Sequence, residues 1–237
     1  MALTTGLVGF QFLGEDTTLA TVPVSAMVIG TAIATVPASM VMKRVGRRMG
    51  FTIGALIGVL GASIAALSVW QLSFWGFSFG ILLMGMYNGF SHYYRFAAAD
   101  VSSAKFRSRA ISLVLFGGVV AAFVGPEIAL RTADLVPGAQ FLGTYLAVIV
   151  LVLVSIILIQ FIRIPTPTLE ERNETGRPMS VIMRQPKFIV AVLSSMVGFA
   201  VMVLLMTATP IAMIEQFNHA LRDATTVIQW HALAMFA

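Results

Sequence analysis

The chain has 237 residues, of which 58% are hydrophobic and only 11% are charged. An ordinary soluble domain carries about 25% charged residues, so a water-soluble fold is excluded and lipid is the expected solvent. The sequence contains no cysteine, which excludes disulfide bonds and thiol chemistry, and its net charge of +5 is gathered in short segments between apolar runs, which argues against a nucleic-acid-binding surface.

Long apolar runs predict membrane-spanning helices, because about 20 helical residues cross a hydrocarbon core of about 30 Å. The run at residues 49–94 is long enough for two crossings with a turn near Trp70 and Trp75. Runs of this kind lack the alternation of a barrel, and backbone groups in lipid must pair within a helix. In chain order the runs cover residues 2–14, 20–42, 49–94, 110–130, 140–162, 188–210 and 225–237.

The polar connection at residues 164–187 divides this layout into two parts. Residues 1–163 are predicted to form a six-helix bundle whose first helix is truncated. Residues 164–187 form a cytoplasmic linker, in which Thr168 and Glu171 are spaced to cap a short surface helix. Residues 188–237 contain the first two helices of a second bundle, the last one truncated, so the expected complete protein has about twelve spans and begins upstream of Met1.

The basic residues predict the orientation of these spans. Thirteen of the fifteen fall into three segments, at residues 43–48, 95–109 and 163–187, and each segment follows the previous one after two crossings. Lys and Arg stay on the cytoplasmic side, so all three segments are expected to face the cytoplasm. Trp70, Trp75 and Trp230 then fall at the outer boundary, as an aromatic belt would place them.

The loop after the second run contains the pattern R-x-G-R-R, formed by Arg44, Gly46, Arg47 and Arg48. Glycine permits a tight turn, and the cations anchor the loop against anionic headgroups. This loop resembles the G-x-x-x-D-R-x-G-R-R/K signature of the major facilitator superfamily. A plain positive-inside anchor is the alternative.

Two positions depart from that signature, because Ser39 replaces its first glycine and Lys43 replaces its aspartate. The resemblance implies that Arg47 pairs with Asp100, at the inner end of the fourth span, and that the pair latches an inner gate. Lys43 cannot replace the aspartate, since a cation repels the helix N-terminus that an anion attracts. The alternative for the pair is a surface contact worth less than about 1 kcal/mol.

The fifth span carries Gly117, Ala121 and Gly125 at intervals of four residues, followed by Pro126. Small residues in this register give a smooth face for close helix packing, and proline removes a backbone donor and bends the helix. The segment also resembles the Gly-Pro signature of antiporters in the same superfamily, in which Ala121 stands where a glycine is usual.

Glu127 follows directly, about one turn inside the predicted outer boundary. An intramembrane charge costs at least about 2.5 kcal/mol, which makes Glu127 the candidate for proton coupling. The alternative is a solvated carboxylate that pairs with Arg131, four residues further along the helix.

Polar residues in the first and fourth spans are the candidates for a substrate path: Gln11, Tyr87, Asn88 and His92. Asn88 and His92 share one helical face with Gly85, which stands where the superfamily often has an arginine. The alternative for Asn88 and His92 is hydrogen bonding between helices. Gln160 is expected to be solvated near the inner interface.

These observations predict an all-α polytopic membrane protein with a six-helix bundle similar to that of the major facilitator superfamily. The expected function is alternating-access transport of a small organic solute, as proton-coupled export. Uptake of a nutrient by a symporter of the same fold, or a scaffold or receptor that does not transport, are the alternatives. The expected partners are the bilayer of the plasma membrane, the solute and protons, with a monomer at full length. No catalytic set, cofactor, metal site or nucleic-acid contact is expected.

Overall fold

The computed structural model describes residues 2–13, 17–162, 164–165 and 179–236. Within these residues the regular secondary structure is helical throughout. A 3₁₀ turn at Thr17–Leu19 precedes the second helix, and a π-helical turn at Ala212–Gln216 follows the ninth. The helices are α1 Ala2–Leu13, α2 Val22–Val45, α3 Arg47–Gln71, α4 Phe74–Ser91, α5 Tyr94–Asp100, α6 Arg107–Thr132, α7 Leu142–Phe161, α8 Met179–Met183, α9 Pro186–Ile211 and α10 Leu221–Phe236.

Five of the described helices are long and apolar enough to cross a bilayer, namely α2, α3, α6, α7, and α9 with its π-helical turn. They cover the second, third, fifth, sixth and seventh predicted spans. The all-α polytopic fold expected from the sequence is therefore present. The predicted surface helix capped by Thr168 and Glu171 lies outside the described residues.

The fourth predicted span is split into two helices. α4 ends at Ser91 and α5 begins at Tyr94, with a turn at His92 and Tyr93 between them. The N–H of Tyr93 donates to the carbonyl of Phe90 at 3.1 Å, which is the tighter three-residue spacing of a 3₁₀ turn. The Tyr93 hydroxyl donates to the Thr35 carbonyl of α2 at 2.8 Å, so the break is tied to the neighbouring helix.

The bundle has two distinct ends. The basic end carries the α2–α3 turn and the α5–α6 connection, and the opposite end carries the α3–α4 and α6–α7 connections. One buried cluster lies toward the opposite end and includes Phe77, Ile81 and Tyr145, joined by Ala224 and Ile228 of α10. A second cluster lies toward the basic end and includes Phe51, Phe90 and Ile159.

Helices α2 and α4 approach each other at backbone distance. A side-chain carbon added at Gly85 would collide with the carbonyl of Met27, and one added at Gly30 would collide with the carbonyl of Leu82. Glycine at both positions is what permits this approach. The contact fixes the position of α4, and through it the position of α5.

The three tryptophans do not form one belt. Trp70 and Trp75 lie exposed at the α3–α4 turn. Trp230, expected at the outer boundary, instead packs beside Phe123 of α6, with ring centroids 6.4 Å apart. Phe123 precedes the end of α6 by nine residues, or roughly 13 Å at about 1.5 Å per residue. Trp230 therefore lies further along the bundle than Trp70 and Trp75, because α10 begins at the opposite end nine residues before it, and its side chain is 63% exposed.

Candidate functional site

The turn between α2 and α3 is built around Gly46. This buried residue has φ 85° and ψ 160°, a backbone conformation open to glycine and strained for other residues. Its N–H donates to the Met42 carbonyl at 3.0 Å and so ends α2. The next residue, Arg47, is the first of α3, which places its side chain at the basic end.

Arg47 and Asp100 form an ion pair that joins the start of α3 to the end of α5. Nη2 of Arg47 donates to Oδ2 of Asp100, and the two side chains are 24% and 54% exposed. The structure therefore brings together the two residues that the resemblance pairs. Exposed pairs of this kind stabilise by less than about 1 kcal/mol, so the contact can be broken at small cost.

A second link at the basic end joins α3 to α7. Nη2 of Arg48 donates to Oε1 of Gln160 at 3.0 Å, and Nε2 of Gln160 donates to Oγ1 of Thr52 at the same distance. Gln160 is exposed, as expected, but it is also an interhelical contact. Sequence spacing gave no signal for this role, since 112 residues separate it from Arg48.

The Arg47–Asp100 pair lies in an open cavity of about 810 Å³ at the basic end. Lys43 and Arg107 also line it, so the charged side chains in its lining are three cations and one carboxylate. Tyr93, at the break between α4 and α5, forms part of the wall. The other lining residues are Ser39, Met42, Phe96, Ile164 and Pro165.

Asn88 faces α2 and takes part in a polar contact between helices. Its Nδ2 donates to Oγ1 of Thr31 at 3.4 Å, and that hydroxyl in turn donates to the Gly85 carbonyl at 3.0 Å. This arrangement is the interhelical alternative foreseen for Asn88. A role for Asn88 in a substrate path stays a prediction.

The other path candidates lie apart from one another. The ring of Tyr87 covers Gly58 of α3 so closely that an added side-chain carbon would lie 2.8 Å from it. His92 is exposed at the end of α4. Gln11 donates to the amide oxygen of Gln140 in the α6–α7 connection, at the opposite end. The four candidates therefore do not converge on one site in this structure.

Glu127 lies in the last two turns of α6 and forms an ion pair with Arg131. Nε of Arg131 donates to Oε1 of Glu127 at 2.9 Å, and the side chains are 77% and 40% exposed. This is the geometry of the solvated alternative, in which the carboxylate is neutralised one turn along its own helix.

The small-residue face of α6 is open in the described part of the chain. No atom lies within 4 Å of a side-chain carbon added at Gly117 or Gly125, and Ala121 is exposed. The helix runs without interruption through Pro126. Close packing on this face, one of the two interpretations of the motif, is not found among the described residues.

A second cavity of about 850 Å³ lies between α2 and α9, in the half of the bundle nearer the opposite end. Most of its lining is aliphatic, with Phe199 as the aromatic member. Thr207 is 7% exposed, and its hydroxyl has no hydrogen-bond partner among the described residues. Sequence reasoning missed this cavity, because Thr207 lies inside a long run without charged residues.

Comparison with known families identifies the chain. The family sequence model described as Major Facilitator Superfamily matches residues 3–237 of the chain. The chain belongs to the Major Facilitator Superfamily. The all-helical, polytopic fold and the R-x-G-R-R turn at the basic end are in keeping with this superfamily.

Two curated relatives in the superfamily align with almost the whole chain. The riboflavin transporter RfnT of Brucella anthropi is 41% identical over 234 residues, covering 98% of this chain and 58% of RfnT. An uncharacterized transporter of the superfamily, YdeG of Bacillus subtilis strain 168, is 26% identical over 245 residues, covering 97% of this chain and 56% of YdeG. The chain therefore spans little more than half the length of these relatives. No solved structure gave a significant match.

The departure from the superfamily signature at Lys43 has a local explanation. Lys43 and Arg44 lie in the last turn of α2, where the negative end of the helix dipole favours cations. The substitution therefore suits the helix that carries it, and the Arg47–Asp100 ion pair forms without an aspartate at position 43.

Proposed function

We propose that this protein carries riboflavin, or a closely related neutral heterocycle, across a lipid bilayer by alternating access. The observation that carries the proposal is the 41% identity to a riboflavin transporter, which extends over 98% of the chain. Identity at this level over 98% of the chain supports a shared substrate class as well as a shared fold.

The contacts at the basic end support a state of the protein in which an ion pair holds that end closed. The Arg47–Asp100 pair joins α3 to α5 at that end, while the cavity between α2 and α9 lies in the other half of the bundle. In alternating access, two helical bundles rock about a site near the midplane. Both residues belong to the first bundle, and a pair worth less than about 1 kcal/mol can break and re-form as the bundles move.

The orientation follows from the basic residues. The basic end faces the cytoplasm, in keeping with the positive-inside rule, and the membrane is the plasma membrane. Asn88, Tyr87 and His92, on α4 and at its end, stay the candidates for the substrate path.

Proton-coupled export is a second candidate, favoured by Gly125-Pro126 and the adjacent Glu127. The carboxylate would take up a proton on one side and release it on the other. Its pairing with Arg131 at 2.9 Å weakens the case, because the carboxylate already has a partner one turn along its own helix. Uptake of a nutrient is the mode we favour.

Flux of labelled riboflavin into vesicles tests the proposal. The complete protein is reconstituted, and flux is compared with empty vesicles, with and without a proton gradient of either sign. Saturable flux that empty vesicles lack is expected. Flux that requires an inward-directed gradient supports uptake, and exchange against protons supports export. A protein that binds riboflavin without moving it would contradict transport and favour the receptor alternative.

A further inference from the structure

The cavity at the basic end is built by one part of the chain. Its described lining falls between Ser39 and Pro165 and comes from α2, α3, α5, α6, the turn before α5 and the residues after α7. The helices α2, α3 and α6 are each long and apolar enough to cross a bilayer, and at this length their ends lie at the membrane boundary. The cavity therefore opens at the level of the lipid headgroups.

The charged groups in the lining are out of balance. Lys43, Arg47 and Arg107 face a single carboxylate, that of Asp100, and Arg47 is already paired with it. Arg107 makes no ion pair or side-chain hydrogen bond with any described residue. Arg107 is also the first residue of α6, so the positive end of the helix dipole adds to the field of the cations. The complementary ligand is an anion.

Lys43 is the residue that creates this imbalance. The superfamily signature has an aspartate at this position, and with an aspartate the described lining would hold two cations and two carboxylates. Lysine changes the charge of the lining by two and leaves it with a net positive charge. The helix dipole explains why α2 accepts a cation in its last turn, and the surplus of cations in the cavity indicates what that cation can bind.

Apolar groups at the same end favour a lipid over a soluble anion. Phe96 lines the cavity and is 46% exposed, and Val45 and Met49, two residues before and after Arg47, are 43% and 55% exposed. Acyl chains cover such side chains, whereas a soluble anion leaves them in water. Basic pockets between transmembrane helices are a known kind of site for anionic headgroups.

We infer that the cavity at the basic end binds the phosphate headgroup of an anionic phospholipid, which Lys43 and Arg107 hold beside the Arg47–Asp100 pair. The ammonium and guanidinium groups of these residues are donors only, and phosphate oxygens accept strong, charge-assisted hydrogen bonds from such donors. This inference goes beyond transport, because it does not depend on which solute the protein carries.

Native mass spectrometry of the purified complete protein in a neutral detergent tests the inference. Short-chain phosphatidylglycerol and phosphatidylcholine are the probes, and the parent is expected to bind the first about thirtyfold more tightly, at about fivefold per net charge. Lys43→Gln is expected to lower the affinity for phosphatidylglycerol about fivefold, and Lys43→Asp about thirtyfold, because it changes two charges. Binding of phosphatidylcholine should not change.

Arg44→Gln is the matched control. Arg44 is an exposed cation in the same last turn of α2, but it does not line the cavity. Its removal is expected to change the affinity for phosphatidylglycerol by less than about twofold at about 0.15 M salt, because exposed charges outside the site are screened. Arg107→Gln, on a different helix, is expected to lower the affinity about fivefold, which makes the test independent of any effect of Lys43 on the folding of α2.

The possible outcomes separate the lipid site from its alternatives. Equal binding of the two lipids by the parent overturns the inference, and so does a preference for phosphatidylglycerol that both Lys43→Gln and Arg107→Gln retain. Inorganic phosphate that displaces phosphatidylglycerol at an equal concentration assigns the cavity to a soluble anion and overturns the inference as well. Riboflavin is absent from these measurements, so the proposed function stands or falls separately.

Discussion

At the scale of single residues, the Arg47–Asp100 pair is the contact whose role is most open to test. Asp100→Asn removes the charge and keeps the size, and we expect the transport rate to fall about fivefold, which is the equilibrium shift that corresponds to about 1 kcal/mol. Exchanging the two charges, in Arg47→Asp with Asp100→Arg, is expected to restore much of the rate. Vesicle flux measures both variants. Full activity of Asp100→Asn would show that the pair is not a gate.

Glu127 provides a second test at this scale, directed at proton coupling. If the carboxyl carries the coupled proton, Glu127→Gln abolishes gradient-driven flux while exchange without a gradient continues. Arg131→Gln is the control, because it breaks the same 2.9 Å ion pair and keeps the carboxyl. Coupling that survives in Glu127→Gln rules this residue out, and equal losses in both variants assign the effect to the ion pair.

At the scale of helices, the α2–α4 interface should tolerate almost no added volume. Gly85→Ala places a carbon against the Met27 carbonyl, and overpacking of this kind costs about 1–3 kcal/mol. We expect a lower Tm in detergent. Gly125→Ala is the matched change on α6, where nothing lies within 4 Å, and its Tm should equal or exceed that of the parent. Equal losses in both variants would contradict the interface described for α2 and α4.

The helices were largely predictable from the sequence, and the reason is physical. Apolar runs of about 20 residues must pair their backbone groups internally in lipid, so run length alone locates α2, α3, α6, α7 and α9. The break between α4 and α5 was not predictable, because neither proline nor a charged residue interrupts residues 49–94. The turn there includes a contact from Tyr93 to the Thr35 carbonyl, which exists only once α2 is in place.

The contacts of the candidate site could also be predicted only in part. The contact between Arg47 and Asp100 could be anticipated, because a family resemblance pairs the two positions. The Gln160 contact and the cavity at Thr207 could not, since both depend on helices distant in sequence. A threonine within an apolar run looks the same in the sequence whether or not its hydroxyl is bonded to its own helix.

At the scale of the whole molecule, orientation is the property to test first. The 237 residues contain no cysteine, so a single introduced thiol reports its own side of the membrane. Gln71→Cys, at the exposed end of α3, should react with an impermeant maleimide in intact cells. Ser103→Cys, exposed at the basic end, should react only after permeabilisation. The reverse pattern would invert the proposed topology, and the unsubstituted protein is the control.

The break at His92 and Tyr93 has a mechanical consequence. Asp100 lies at the tip of a seven-residue helix about 10 Å long, whereas α4 is locked to α2 by glycine contacts. If the Arg47–Asp100 pair is a gate, Asp100 would move by a turn at His92 and Tyr93 that also separates the ring of Tyr94 from Phe51. Such a movement would open the basic end without withdrawing a complete transmembrane helix from its tightest interface.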